Sequence, residues 1–395
     1  MRLNSLFVKN PKEVATTDSH QLPLHATSSF AFKSVEEGVA AFQAPMDTHL
    51  YARFANPTID AVAHKIAMLE AYDSDIDAWG VMTSSGMSAI STLIFACLKK
   101  GDKILSQANL YGGTTELISN FFPKYGIDVV WTDLSDSASI RQAIAEDSNI
   151  KMIYLETPSN PALDCIDLES LALLAKELKV VSVVDNTFCT PAIQRPLTHG
   201  IDYVVHSTTK YLNGHGNGIS GIIIGSGMES KKGVWSTMKL LGTNANAWDA
   251  WLTNMGMKTL SLRMKQHSEN AQALSEFLQD HPKVDGVNYL GLTNHPHHQL
   301  AKRQMTYFGG MMCFEIQGGV ESGKKFMNTQ TMGTLAPTMG DVDTLIMHPA
   351  SMSHLNVDRD IRLKHGITDG LIRVSVGIED VQDLIEDFDQ ALHSI

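Results

Sequence analysis

Two short apolar runs near the middle of the chain stop on charge. Val180–Val184 ends on Asp185-Asn186-Thr187, and Ile201–Val205 passes through His206-Ser207-Thr208-Thr209 to Lys210. Runs of this length, rich in β-branched residues, read as strands buried on both faces of a parallel sheet. A lysine or an aspartate just past such a strand loses hydration unless another group meets it. In an open α/β sheet the carboxyl ends of neighbouring strands face one crevice, and ligands collect there. Asp185 and Lys210 are therefore expected on the same crevice.

That pair has a chemistry. Burial lowers a lysine pKa, and the neutral amine is the form that attacks a carbonyl to give a Schiff base. Pyridoxal 5'-phosphate (PLP) needs such a lysine and also a carboxylate that keeps its pyridine nitrogen protonated. At about 4 Å and an effective dielectric near 20, the carboxylate contact is worth roughly 4 kcal/mol. Singly, each residue has an ordinary explanation: Lys210 can extend to water, and Asp185 can cap the next helix. Together they point to a PLP site.

The rest of the chain fits around that crevice. Strands are predicted near 78–82, 103–106, 127–131, 150–155, 180–185, 202–206 and 219–225, with helices near 59–72, 114–125, 137–146 and 167–179 and another running to Lys99. This alternation implies an α/β domain with a mostly parallel central sheet covered on both faces. Thr83-Ser84-Ser85-Gly86-Met87-Ser88 turns from strand to helix, where free amides and the helix dipole favour a phosphate. Tyr111 offers a flat ring beside Gly112 and Gly113, and Asn160 follows the 150–155 strand in the turn from Glu156 to Pro161. After about residue 255 the pattern changes. A long helix near 256–279, strands near 310–316 and 370–376 and a helix near 380–394 read as a smaller α+β domain. Arg373 sits inside the last apolar strand, where a charge is costly unless an anion meets it, so it is expected to receive a substrate carboxylate.

Residues 1–57 lack this periodicity, with Pro11, Pro23, Pro45 and Pro57 spread through them, and read as an arm that wraps a neighbouring subunit. Tyr51 and Arg53, two apart in an extended segment, point the same way and can grip a phosphate. The expected division is 1–57 arm, 58–255 large domain and 256–395 C-terminal domain. A formal net charge of −12 over 395 residues argues against nucleic acid or an anionic membrane as partner. No run is long enough for a membrane span, and Met1–Lys9 has no signal-peptide core, so a cytoplasmic protein is expected. Cys97, Cys165, Cys189 and Cys313 show no paired spacing, and His295-Pro296-His297-His298 lacks ligand spacing, so no disulfide and no metal is expected.

These residues resemble the Cys/Met-metabolism family of PLP enzymes, which includes methionine γ-lyase, cystathionine γ-lyase and γ-synthase, and the homoserine-ester sulfhydrylases. The resemblance runs from Tyr51–Thr58 to Gly377 and is most specific from Asp185 to Gly218. It implies PLP fold type I, like aspartate aminotransferase, and a homotetramer built from two catalytic dimers. By the same resemblance Lys210 carries the cofactor and Asp185 pairs with its ring nitrogen. Gly86, Met87, Ser207 and Thr209 hold the phosphate, which Tyr51 and Arg53 reach from the neighbouring subunit. Tyr111 stacks on the ring and acts in acid–base steps, Asn160 contacts the ring side, Arg373 binds the substrate α-carboxylate, and Thr338 lies against the substrate.

Within the family, the segments Met339–Leu345 and His348–His354 most resemble methionine γ-lyase. That enzyme has a cysteine where this chain has Gly113. Cystathionine enzymes place an arginine where this chain has Glu116, and cystathionine γ-lyase has a Glu-Ser pair in place of Pro337-Thr338. A carboxylate at 116 repels an acidic γ-substituent, although at a helix start it also suits the dipole. The expected reaction is γ-elimination from methionine or homocysteine to 2-oxobutanoate, ammonia and a thiol. The alternatives are γ-replacement on an activated homoserine, as in O-acetylhomoserine sulfhydrylase or cystathionine γ-synthase, and the cystathionine γ-lyase reaction.

Overall fold

The computed structural model describes residues 1–9, 18–160, 162–355, 358–364 and 366–395, so Pro11, Pro161 and part of the expected arm lie outside the described residues. The central sheet contains β1 (Ala78–Thr83), β2 (Lys103–Ser106), β3 (Asp128–Trp131), β4 (Ile150–Glu156), β5 (Val181–Asp185), β6 (Tyr203–Ser207) and β7 (Gly221–Ser226). Their spatial order is β1-β7-β6-β5-β4-β2-β3. β7 runs antiparallel to both neighbours, and the other pairs are parallel. The carboxyl ends of β1, β4, β5 and β6 consequently lie along one edge.

Why these runs are continuous rather than alternating follows from what covers them. Val204 of β6, with Ile222 and Ile224 of β7, packs against Ile59, Val62, Ile66 and Leu69 of the helix Pro57–Glu70. Val205 and Ile223 face the other way, with Val183, onto Ile90, Leu93 and Ile94 of the helix Gly86–Cys97. Successive strand residues meet different helices, and both sets are apolar. Asn56 starts the first of these helices, its Oδ1 accepting the Thr58 amide at 2.9 Å, and Pro57 occupies the first helical position.

The second sheet joins β8 (Val284–Asn288), β9 (Met311–Ile316), β10 (Thr334–Leu335), β11 (Leu345–Met347) and β12 (Leu371–Ser375) in the order β10-β11-β12-β9-β8. Its core sets Phe314, Ile372 and Val374 against Leu274 and Leu278 of the helix Leu260–Gln279 and Leu384 and Phe388 of the helix Val381–His393. This is the smaller α+β unit.

Several elements differ from the sequence expectation. The arm is not irregular throughout: Leu3–Val8 and Val35–Gln43 are helical, and Leu6 and Phe7 are buried in the chain's own core. The helix expected near 256–279 runs Leu260–Gln279, and a separate helix before it, Ala247–Met257, was not anticipated. At the break, the buried Arg263 guanidinium takes the Gly256 carbonyl at 2.9 Å, so that oxygen no longer continues a helical ladder. The helix expected over 114–125 is α-helical only for Gly112–Glu116; a π turn, Leu117–Phe121, and a 3-10 turn, Phe122–Tyr125, complete it. Pro123 lacks the amide a regular helix needs there. The helix Met228–Leu241 was not anticipated, because among its residues only Val234 and Met238 are buried, too few to mark a period. Among the described residues no helix is long and apolar enough to cross a membrane.

One buried charge has a consequence for stability. Lys65 of the helix Pro57–Glu70 is 1% exposed, and its Nζ donates to Asn254 Oδ1 at 3.3 Å. Burial, and then the charge of Lys258, bring its pKa from 10.5 down to about 7. Between those values the unfolded chain holds a proton that the folded chain has released, so this residue's contribution to stability falls as pH drops through that window. Lys65→Met is expected to stabilise the protein at pH 7 by on the order of 2–4 kcal/mol and to flatten the pH dependence of unfolding between 7 and 10. An unfolding midpoint unchanged by the substitution would show that the amine is not carried at that cost.

Candidate active site

The edge formed by the strand ends opens into one cleft, lined by Gly86, Met87, Tyr111, Asn160, Asp185, Ser207, Thr209, Lys210, Thr338 and Arg373 among others. Ten of the sequence-predicted site residues are therefore brought together by elements far apart in the chain. Lys210, just past β6, donates from Nζ to Thr338 Oγ1 at 2.6 Å. Burial pulls its pKa below the ordinary lysine value, and the Arg373 charge adds to that. The desolvated amine inferred from the sequence is present, with a hydroxyl rather than a carboxylate as partner.

Asp185 ends β5 on the cleft side. Burial raises its pKa, opposed by the Thr187 hydroxyl at 2.5 Å, the Thr187 amide at 3.0 Å, the charge of His206 and the Tyr154 hydroxyl at 3.4 Å. Its register partner on β4 is another carboxylate, Glu156. Both Glu156 oxygens accept the Tyr111 amide at 2.9 Å. Burial, and then Asp185, hold Glu156 well above the usual carboxylate range. Sequence reasoning gave Glu156 no role, yet the signal that selected Asp185 was there too: an acid closing an apolar strand.

Beside these groups lies an anion cradle. Gly86 and Met87 open a helix whose first amides have no carbonyl one turn back, and Ser85 Oγ caps it by accepting the Ser88 amide at 3.0 Å. Glycine is required at 86: a Cβ there would lie 2.7 Å from the Ser207 Cβ. Ser207 and Thr209 bring hydroxyls from β6 and the turn after it, the latter donating to the Ser220 carbonyl at 3.2 Å.

Arg373 enters from β12. Its Nη2 donates to the Thr338 carbonyl at 3.2 Å and its Nη1 to Asn160 Oδ1 at 3.5 Å, and burial lowers its pKa. Among the described residues no carboxylate pairs with it, which leaves the guanidinium for an external anion. Glu116 is exposed and lines an outer cavity that shares Tyr111, Asn160, Pro337 and Arg373 with the cleft.

Tyr51 and Arg53 are not in this chain's own cleft. Arg53 donates to the Lys239 carbonyl at 2.5 Å and stacks on Tyr51 and Phe54, 5.5 and 5.0 Å from the ring centres, in a separate cavity with Trp235. In the 295–298 loop the His295 and His297 rings lie 5.8 Å apart. His298 is buried against Phe308 with Nδ1 on the Leu290 carbonyl at 2.7 Å, and His297 sits 3.4 Å from Asp164.

The family described as Cys/Met metabolism PLP-dependent enzyme matches residues 4–393. The chain belongs to that family. It is 42% identical over 376 residues to a protein of Fusobacterium nucleatum named L-methionine gamma-lyase, covering 95% of this chain and 93% of that one. It is 36% identical over 392 residues to an O-succinylhomoserine sulfhydrylase of Pseudomonas aeruginosa, covering 99% and 95%. Among solved structures, cystathionine gamma synthase from Xanthomonas oryzae pv. oryzae, in complex with aminoacrylate and cysteine, superposes with a TM-score of 0.92 at 35% identity, covering 100% of this chain and 98% of that one. The fold is PLP fold type I, and the protein is a PLP-dependent enzyme of cysteine and methionine metabolism.

The cleft fits that cofactor. Its donor set holds a desolvated amine for an aldehyde, a buried carboxylate for a ring nitrogen and a glycine-opened helix end with two hydroxyls for a phosphate. Tyr111 stands at the mouth, 54% exposed. Its ring position depends on Gly113, where a Cβ would come 2.6 Å from Tyr111 Cε1 and 3.3 Å from Met87 Sδ. Gly113→Ala is expected to turn the Tyr111 ring away from Met87 and to lower kcat, while changing stability by no more than about 1 kcal/mol. A crystal structure of the variant together with its kinetics checks this; an unmoved ring would refute the steric argument.

Proposed function

We propose that this enzyme carries out γ-elimination on a sulfur amino acid: methionine or homocysteine and water give 2-oxobutanoate, ammonia and methanethiol or sulfide. The observation that carries the reading is the Lys210–Thr338–Arg373 group. One residue, Thr338, meets the amine through its hydroxyl and the guanidinium through its carbonyl. An α-amino acid whose carboxylate sits on Arg373 thereby has its α-carbon near Lys210. The resemblance to proteins named L-methionine gamma-lyase supports the choice of reaction.

Each residue has a task in this reading. Gly86, Met87, Ser207 and Thr209 fix the cofactor phosphate, Asp185 keeps a carboxylate opposite the ring nitrogen, and Asn160 borders the ring. Bound PLP supplies an electron sink that stabilises charge released at the substrate α-carbon. Lys210, with its lowered pKa, takes the α-proton at Nζ and is the base that moves protons on the substrate. The Tyr111 hydroxyl at the mouth delivers a proton to the departing γ-substituent. Thr338 holds Lys210 in line.

Tyr51 and Arg53 complete the phosphate site of a neighbouring subunit in a homotetramer of two catalytic dimers. The helix Val35–Gln43 supports this part of the reading: Val35, Val39 and Phe42, one stripe at i, i+4 and i+7, are 78%, 52% and 68% exposed. A second copy of the chain is the occupant that would cover them.

Glu116 sets the substrate charge. In the outer cavity next to Arg373, a carboxylate repels an acidic γ-substituent and accepts a neutral one. A second reading is γ-replacement, with O-acetylhomoserine and sulfide giving homocysteine. It is favoured by the similarity to an O-succinylhomoserine sulfhydrylase and to a cystathionine gamma synthase.

Purified holoprotein given methionine or homocysteine is expected to release 2-oxobutanoate, and Lys210→Ala to abolish it. O-acetylhomoserine with and without sulfide separates replacement from elimination. No oxo acid from either sulfur amino acid would sink the lyase reading. Glu116→Arg is expected to raise kcat/KM on cystathionine or O-succinylhomoserine by about tenfold or more, as removal of one repulsive contact implies; an unchanged ratio of acidic to neutral substrates would place Glu116 outside the substrate pocket.

A further inference from the structure

The phenol at the mouth of the cleft is placed by its backbone more than by its ring. Tyr111 is 54% exposed, so packing alone does not fix where the ring stands. The residue caps the helix Gly112–Glu116 with φ −52° and ψ 132°, outside helical values, and its side chain makes no capping bond. Its carbonyl takes the Thr115 amide at 3.0 Å, which ties it to its own helix and not to the sheet. Its amide lies ahead of the helical ladder and needs an acceptor from elsewhere.

Glu156 supplies that acceptor. The Tyr111 amide donates to both of its carboxyl oxygens, each at 2.9 Å. Glu156 is 6% exposed and closes β4, whose neighbour β2 leads into the loop that carries Tyr111. The same residue holds the start of that loop through its backbone. Gln107 Nε2 donates to the Glu156 carbonyl at 3.0 Å and to the Asn109 carbonyl at 2.9 Å. Residues 107–111 therefore hang from one strand end, by its carbonyl at the start and by its side chain at the finish. The tie between these two, Asn109 Nδ2 to Asp164 Oδ2, is 3.4 Å long and correspondingly weak.

An acid is a costly choice at this place. Glu156 is buried, and its register partner on β5 is Asp185, so a like charge opposes its ionisation. An apolar residue closing β4 would meet neither difficulty. What the carboxyl group gains is the Tyr111 amide, and that bond does not depend on the proton: the neutral acid keeps a carbonyl oxygen that accepts, as the carboxylate does.

We propose that Glu156 is a positioning residue, which holds the Tyr111 amide and thereby fixes the phenol where it serves the departing γ-substituent. The proposal rests on the reading in which Tyr111 delivers that proton. Among the described residues the Glu156 carboxyl group is the hydrogen-bond tie between Tyr111 and the central sheet. Lys210 lies past another strand, β6, with its own partner in Thr338. Loss of the Glu156 side chain thus frees the acid of the reaction and leaves the base in place.

The test separates placement of the acid from bracing of the whole cleft. Full-length holoprotein is assayed for oxo acid released from methionine and, in D2O, for exchange of the α-proton of norleucine. Norleucine has the length of methionine but no leaving group, so its exchange calls on Lys210 and not on the phenol. Glu156→Ala is expected to lower the elimination kcat by about tenfold to a hundredfold, as a misplaced acid implies, and to leave exchange within about threefold. Glu156→Gln, which keeps an acceptor for the amide, is expected to recover most of the elimination. Tyr111→Phe combined with Glu156→Ala is expected to eliminate no more slowly than Tyr111→Phe alone, because the carboxyl group acts through the phenol. Exchange that falls in step with elimination in Glu156→Ala would overturn the proposal, and so would undiminished elimination. Undiminished elimination in Tyr111→Phe would overturn instead the assignment of the proton to Tyr111. Crystal structures of the variants test the placement whatever the substrate: Tyr111 is expected to move in Glu156→Ala and to stay in Glu156→Gln, and an unmoved loop in Glu156→Ala would overturn the proposal. Should Glu156→Ala fail to fold, amide hydrogen exchange of the wild-type holoprotein decides. The Tyr111 amide is expected to exchange about tenfold or more slowly than the Gly112 amide beside it, and equal rates would overturn the proposal.

Discussion

Desolvation at the carboxyl edge of the central sheet governs how this molecule is built. An ammonium, a guanidinium and two carboxylates are drawn out of water there, at a cost of several kcal/mol each unless other groups meet them. The structure meets them unequally. Asp185 receives a hydroxyl and an amide from Thr187, and Glu156 receives the Tyr111 amide. Among the described residues, Lys210 and Arg373 receive only neutral oxygens. The cationic side of the cleft is thus left under-compensated, which suits the anionic ligand of the proposed reading.

The backbone can come close enough to make this edge because of glycine at a few positions. Gly221 of β7 lies where a Cβ would meet the Ser85 carbonyl at 2.3 Å, which lets the Ser85–Gly86 turn sit directly on the sheet. Gly340, with a φ of 81°, brings the C-terminal unit against the Lys210–Tyr211 peptide: a Cβ there would be 2.6 Å from the Tyr211 amide nitrogen. Arg263 reinforces the same segment from the helix Leu260–Gln279, donating to the Tyr211 carbonyl at 2.9 Å. The residue after the key lysine is therefore clamped by both domains, and Thr338 reaches Lys210 across that junction.

How much of this the sequence could reveal depended on how local each signal was. Asp185, Lys210 and Arg373 interrupt or close apolar runs, and such interruptions are visible without any partner. The same rule should have marked Glu156. Glu70 and His206 escaped it because their meaning is the contact between them, across 136 residues, and each taken alone is an unremarkable polar residue at the end of an element. The antiparallel direction of β7 is likewise a property of pairing, since a buried strand looks the same read in either direction. The helix Met228–Leu241 was hidden by its mostly exposed surface, and the break at 258–259 by an arginine side chain that competes for a carbonyl. Pattern reading recovers what burial imposes on a single segment and loses what two segments impose on each other.

The charges also tune one another in like-signed pairs. Arg373 helps lower the pKa of Lys210, and Asp185 helps raise that of Glu156. In the proposed reading, a zwitterionic amino acid relaxes the first of these tensions when its carboxylate settles on Arg373, and a cofactor ring nitrogen held at Asp185 would relax the second. Binding and reactivity then become linked. The anion that quiets Arg373 also restores some basicity to Lys210, when the substrate is in place and an α-proton is there to be taken. Before that moment burial, with the Arg373 guanidinium adding to it, keeps the Lys210 pKa below the ordinary lysine value. In that reading the site discriminates against amines that lack the carboxylate through its electrostatics, ahead of any contact with the side chain, and the outer cavity at Glu116 is left to choose among amino acids.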